Sequence, residues 1–135
     1  MLQKKLTIIG WERYKMIFNC GVTVYNPNNI VVEHIKQYAS VFNKVYVYDN
    51  TVQENINVIN EKIKCIKNIV YISSGDNIGL PGAFNKILDV IDDETDFLCT
   101  IDQDSEFTND NIYRLMSYIQ TTDCSNIGII APKVL

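Results

Sequence analysis

The sequence predicts an α/β domain with a mostly parallel sheet covered by helices on both faces. Two observations predict it. Short apolar runs of five to nine residues recur along the chain, too short for buried helices and rich in β-branched and aromatic residues. Between them lie segments whose apolar residues return every three or four positions. Short, mostly apolar strands separated in this way by helices imply a parallel sheet covered on both faces. The resulting order is β-α-β-α-β-α-β-α-β.

Each element has its own signal. Residues 17–25, IFNCGVTVY, are β-rich and stop at Asn26-Pro27, where proline removes a backbone donor. Asn28 or Asn29 can cap the helix that follows, whose Val31, Ile35, Tyr38 and Phe42 share one face. VYVYDN, residues 45–50, is the second strand. Residues 53–66 place Ile56, Ile59, Ile63 and Ile66 at helical steps. IVYIS, residues 69–73, is the third strand. It runs into the glycine-rich loop SSGDNIGLPG, and Pro81 suits the first turn of a helix reaching Ile91. Residues 97–101 form the fourth strand. Asn109 can cap a helix through Ile119, and IGIIAP, residues 127–132, reads as a fifth strand. Residues 1–15 read as an N-terminal arm, and 16–135 as one unit.

Bulk properties exclude several classes. The chain has 135 residues, 47% hydrophobic and 21% charged, enough for one domain with a real core. The net charge of −4 lacks the basic surplus of a nucleic-acid binder. Cys20, Cys65, Cys99 and Cys124 form no CxxC pair, so zinc ligation is not indicated and a reducing, cytoplasmic setting is expected. No run is long enough for a transmembrane helix, and the N-terminus lacks a signal-peptide cleavage site. His34, between charged neighbours on a helix, reads as solvated.

In a parallel sheet, ligands sit at the carboxyl ends of the strands. The residues gathered there are Tyr25, Asn26 and Pro27, then Asp49 and Asn50, then Asp76, Asn77 and Gly79, and finally Asp102, Gln103 and Asp104. Asp102 and Asp104 stand one residue apart after an apolar strand. Two carboxylates so placed can share a hard divalent cation, Mg2+ or Mn2+, together with substrate phosphates. Asp49 could accept a hydrogen bond from a base or ribose. Gly79 and Gly82 allow close backbone approach, and the helix opened near Pro81 offers free N–H groups to an anion.

TVYNP (23–27), YDNT (48–51), NIGLPGAFNKIL (77–88) and IDQDS (101–105) together resemble, in order and spacing, family 2 glycosyltransferases with the Rossmann-like GT-A fold. The phrase N-x-G-x-x-G-A-x-N with D-Q-D-S looks most like the bacterial rhamnosyltransferase branch. The resemblance spans residues 17–135. It implies transfer of a sugar, rhamnose on this likeness, from a nucleotide diphosphate sugar such as dTDP-rhamnose to a hydroxyl of a saccharide or lipid-linked acceptor, with inversion. It implies that Thr23, Tyr25 and Pro27 line the nucleotide pocket and that Asp49 contacts the base. Asn77, Gly79, Gly82 and Asn85 would shape the floor near the donor sugar. Asp102 and Asp104 would be the D-x-D pair, with Asp104 the more direct metal ligand. Thr51 departs from the small residue usual after Asp-Asn, so the ribose-side loop is expected to differ. The acceptor half and the general base are expected beyond residue 135. Strand edges exposed without that half would favour self-association. Work at the inner face of the membrane, without an anchor of its own, also follows from the likeness.

Two other readings compete. A haloacid dehalogenase-type phosphatase also places D-x-D after a strand, but it expects Thr or Val where Glu106 stands, and expects the motif near the N-terminus. A non-catalytic nucleotide-binding module needs only the rim. Metal-dependent nucleotide binding separates the glycosyltransferase from the phosphatase, and turnover separates it from the module.

Overall fold

A strand buried on both faces turns no side to solvent, so any polar residue in it needs a partner within the fold. The computed structural model describes residues 5–8 and 11–131. Its main sheet holds β3 (Phe18–Val24), β4 (Val45–Asp49), β5 (Ile69–Ser73) and β6 (Phe97–Asp102) in the order β5-β4-β3-β6. All three pairings are parallel. Every residue of β3 and β4 is buried, whereas β5 and β6, at the edges, are mostly half-buried. Ahead of this sheet, β1 (Lys5–Ile8) and β2 (Trp11–Tyr14) pair antiparallel as a separate ribbon, inside the stretch expected to be an arm.

The helices divide between the faces. On one face lie α1 (Asn29–Val41), α2 (Val58–Lys64) and α4 (Asn109–Thr121). Their Val31, Val32, Ile35, Tyr38, Ile63, Ile112 and Ile119 pack with Cys20, Val22, Val24, Val45 and Val47 of the sheet. Each aliphatic side chain so buried contributes about 1.5–3 kcal/mol. On the other face α3 (Gly79–Val90) sets Ala83 and Ile87 against Tyr46 and Tyr48. Among the described residues no helix is long and apolar enough to cross a membrane.

Local chemistry sets the boundaries. Asn28, not Asn29, caps α1: its Oδ1 accepts from the N–H of Ile30 and of Val31, at 2.9 and 3.1 Å. Thr108, one residue before the expected Asn109, caps α4 by accepting from the Asn111 N–H at 3.2 Å. The helix expected over 53–66 is shorter. Residues Gln53–Asn55 make a 3-10 turn, and α2 starts only at Val58. Asn57 stops any earlier start, because its Oδ1 accepts from the Ile59 N–H while its own N–H donates to Asn60 Oδ1.

Two expectations need correction. Residues 127–131 form no strand, and Pro132 lies outside the described residues. The apolar run IGII meets no strand edge there and leaves Ile129 89% exposed. A strand needs a neighbour's ladder as well as a suitable sequence. His34 is half-buried rather than solvated, its Nδ1 shut from solvent without a hydrogen-bond partner.

Candidate functional site

The chain steps from β3 to β4 to β5 in one direction, then returns to place β6 on the far side of β3. This reversal makes a topological switch point between β3 and β6, where open α/β sheets form a ligand crevice at their carboxyl ends. The last rung there pairs Thr23 with Asp102. Thr23, 4% exposed, donates its hydroxyl to Asp102 Oδ1 at 3.3 Å. The chain then turns tightly, with the Ser105 N–H donating to the Asp102 carbonyl at 3.0 Å. Asp102 takes the first position of that turn and Asp104 the third, and both side chains are exposed. Helix α1 holds the turn's far side. Tyr38 donates its hydroxyl to the Ser105 carbonyl at 3.1 Å, and Gln37 Nε2 donates to the Phe107 carbonyl at 2.7 Å.

Gln103, read from the sequence only as the spacer of D-x-D, has a bonding role. Its Oε1 accepts from the Tyr25 N–H at 2.9 Å, and its Nε2 donates to the Tyr25 carbonyl at 3.1 Å. The Tyr25 ring is 43% exposed at the rim, and Pro27 beyond it is buried. Between them Asn26 adopts a left-handed φ of +45°, and its N–H donates to Thr51 Oγ1 at 2.8 Å. Asparagine tolerates that region better than most residues.

Asp49 closes β4 and is fully buried. Its Oδ1 accepts from the Thr51 N–H at 2.8 Å; its Oδ2 accepts from Asn60 Nδ2 and from the Tyr71 hydroxyl, each at 2.5 Å. Burial, and then the hydrogen bond to Asp49, push the Tyr71 phenol far above its ordinary range. Next to Asp49, Asn50 donates its N–H to the Val24 carbonyl at 2.8 Å. Its side chain reaches the loop after β5, accepting from the Ile78 N–H at 3.0 Å and donating to the Gly79 carbonyl at 3.4 Å.

That loop uses two of the singled-out glycines differently. Asn77 is exposed, and its Oδ1 accepts from the Gly79 N–H at 3.0 Å, which sets the turn into α3. Gly79 has φ +73°, a conformation costly for side chains. Gly82 has ordinary backbone, but a Cβ there would stand 3.1–3.2 Å from Ile78, so its role is close packing. Asn85 lies in the second turn of α3, exposed, and no hydrogen bond ties it to the other rim residues among those described.

The rim thus brings Thr23, Tyr25, Asp102 and Asp104 together, with Asn77 and Gly79 linked to them through Asn50 and β3. The sequence reading missed Asn60, Tyr71 and the bonding roles of Gln103 and Thr51. Only Thr51 carried a signal, as a departure from the resemblance. A cleft of about 470 Å³ adjoins the rim, lined by Gln53, Lys64, Tyr71, Ser73, Ser74 and Gly75. A wider groove of about 580 Å³ between α1 and α2 shares no residue with the rim.

The donor set fits a hard divalent cation. Neither Asp102 nor Asp104 makes an ion pair among the described residues, so their like charges meet no side-chain counter-charge. No cluster of three ligating side chains occurs among those residues. Magnesium and manganese need none when carboxylates hold them together with substrate phosphates.

A family model, glycosyl transferase family 2, matches residues 21–133. The crystal structure of S. aureus TarS is similar in fold, with a TM-score of 0.59 at 20% sequence identity. The similarity covers 77% of this chain but 19% of that one, so the chain spans about a fifth of the length of the structure it matches. No curated protein matches.

Proposed function

The chain belongs to glycosyl transferase family 2, and from that premise we propose that its rim binds the nucleoside diphosphate of a sugar donor. The observation that carries this reading is the convergence of Thr23, Tyr25, Asp102 and Asp104 at the switch point between β3 and β6. Family membership leaves the dehalogenase-type phosphatase without support. The unit doing this work is residues 16–135.

In this reading Tyr25 offers its exposed ring to the base, beside Thr23 and Pro27. Asp104, with Asp102, would hold Mg2+ or Mn2+, which when bound neutralises the donor diphosphate and the charge developing on it as a leaving group. The left-handed Gly79 turn and the start of α3 approach the donor sugar, with Asn77 and Gly82 fixing that turn. Asn85 faces the same floor from the second turn. The acceptor hydroxyl, giving its proton to a general base, attacks the anomeric carbon from the face opposite the diphosphate, and the bond from that carbon to the diphosphate oxygen breaks, with inversion. No described rim residue is assigned as its general base.

Asp49 acts in this reading from beneath. A direct contact with the base, which the resemblance implies, requires Tyr71 or Asn60 to release a carboxylate that is now fully buried. The four cysteines are free, in keeping with a cytoplasmic setting. The N-x-G-x-x-G-A-x-N and D-Q-D-S phrases support dTDP-rhamnose as the donor. The half-buried edges β5 and β6 are where self-association would occur.

The test is calorimetric titration with dTDP and with UDP, each with Mn2+ and with EDTA. Mn2+-dependent binding is expected, and the preferred base narrows the donor. Absence of binding under all four conditions overturns the reading.

A further inference from the structure

The β3–β6 ladder ends at the pair Thr23 and Asp102. Two residues past that rung, Tyr25 still presents a main-chain N–H and a carbonyl. On either side of it those groups go elsewhere: the Val24 carbonyl accepts from Asn50, and the Asn26 N–H donates to Thr51. The Gln103 side chain takes both groups of Tyr25, at 2.9 and 3.1 Å. A primary amide has the donor and acceptor pattern of a peptide group, so it can extend a ladder that the backbone has left. Gln103 is the second residue of the turn whose first and third are Asp102 and Asp104. The turn's other side is gripped by Tyr38 and Gln37 of α1.

We propose that Gln103 is a positioning residue, which fixes the Asp102–Asp104 turn against Tyr25 so that diphosphate and base are held in one geometry. This rests on the donor-site reading above. The two bonds sit at a half-exposed rim, where water can replace them, so the fold does not depend on them. The relative placement of two loops does. Without the amide, Asp104 is tethered to β3 only through Asp102, and a bridging ligand must order the turn as it binds.

The test is Gln103→Met, which keeps the length of the side chain and removes both bonds. Three quantities are measured: amide exchange at Tyr25, the urea midpoint, and the affinity for dTDP and UDP with Mn2+ and with EDTA. Tyr25 exchange is expected to rise at least tenfold and Mn2+-dependent affinity to fall about tenfold, with the urea midpoint nearly unchanged. Unchanged Tyr25 exchange overturns the clamp. Faster exchange with unchanged affinity overturns its positioning role. An affinity loss that tracks a lower urea midpoint makes the residue merely structural and overturns the proposal too. If the unmutated chain binds neither nucleotide, the donor-site reading fails and the positioning role goes with it. If that chain binds and Gln103→Met binds equally well, only the present inference fails.

Discussion

Replacing Tyr71 with phenylalanine tests the support beneath the rim. The substitution removes one of three donors to the Asp49 carboxylate, which is fully buried, and leaves the ring in place. A hydrogen bond to a charged group contributes about 1.5–3 kcal/mol. The Tyr71 hydroxyl is itself desolvated, and its removal recovers part of that, so the expected loss is about 2 kcal/mol. With a urea slope of about 1–3 kcal/mol per molar, the midpoint falls by roughly 1 M. A pH dependence accompanies the loss. The folded phenol holds its proton far above the ordinary value of about 10, so from pH 10 upward the unfolded chain releases its proton first. The unfolded state then binds fewer protons than the folded one, and stability falls as pH rises. The bond contributes fully below pH 10 and fades above it. Tyr71→Phe should show a shallower alkaline decline, though not a flat one, because burial also raises the phenols of Tyr38 and Tyr46. Urea melts followed by circular dichroism at pH 7 and through the alkaline range measure both effects. A variant within about 0.3 kcal/mol of the parent at pH 7, or one with an unaltered alkaline slope, refutes the reasoning.

Other substitutions probe other layers. Asp104→Ala should abolish Mn2+-dependent nucleotide binding with an unchanged circular dichroism spectrum; calorimetry showing unchanged affinity would remove the metal assignment. Gly79→Ala forces a side chain into φ +73° and should destabilise by about 1–2 kcal/mol in a urea melt. Ile35→Ala opens a hole where α1 meets the sheet, and thermal unfolding should report about 2–5 kcal/mol of lost stability.

The central fold was legible because its physics is local. β3 and β4 are buried on both faces, and such burial leaves a mostly apolar run, in which Asn19 and Thr23 are tolerated because each is hydrogen-bonded within the fold. Asp102 and Asp104 were legible for a related reason, since charge that follows such a run and meets no buried partner emerges at the sheet's rim. What stayed hidden depends on a partner far along the chain. Gln103 meets Tyr25 across 78 positions, and Tyr71 meets Asp49 across 22. No spacing rule connects such pairs. The run at 127–131 failed in the opposite way: its residues suit a strand, but an edge to pair with is a property of the whole sheet.

The hydrogen bonds of the rim divide its labour by charge. Neutral side chains hold the loops: Asn50 spans from β4 to Gly79, Thr51 takes the Asn26 N–H, and Gln103 takes both groups of Tyr25. Of the rim carboxylates on β4 and at the end of β6, Asp49 is buried and saturated with donors, whereas Asp102 and Asp104 stay exposed with no ion pair among the described residues. Amides and hydroxyls can fix a loop without altering the field above it. A lysine in the place of Gln103 could anchor the same turn, but it would also neutralise the charge that the proposed cation requires. Two like charges one residue apart repel, and exposure to water keeps that cost to about 1 kcal/mol at contact distance. The fold can therefore carry the pair without a built-in counter-ion. That leaves the −2 charge available to the proposed ligand, where the order of the described strands reverses.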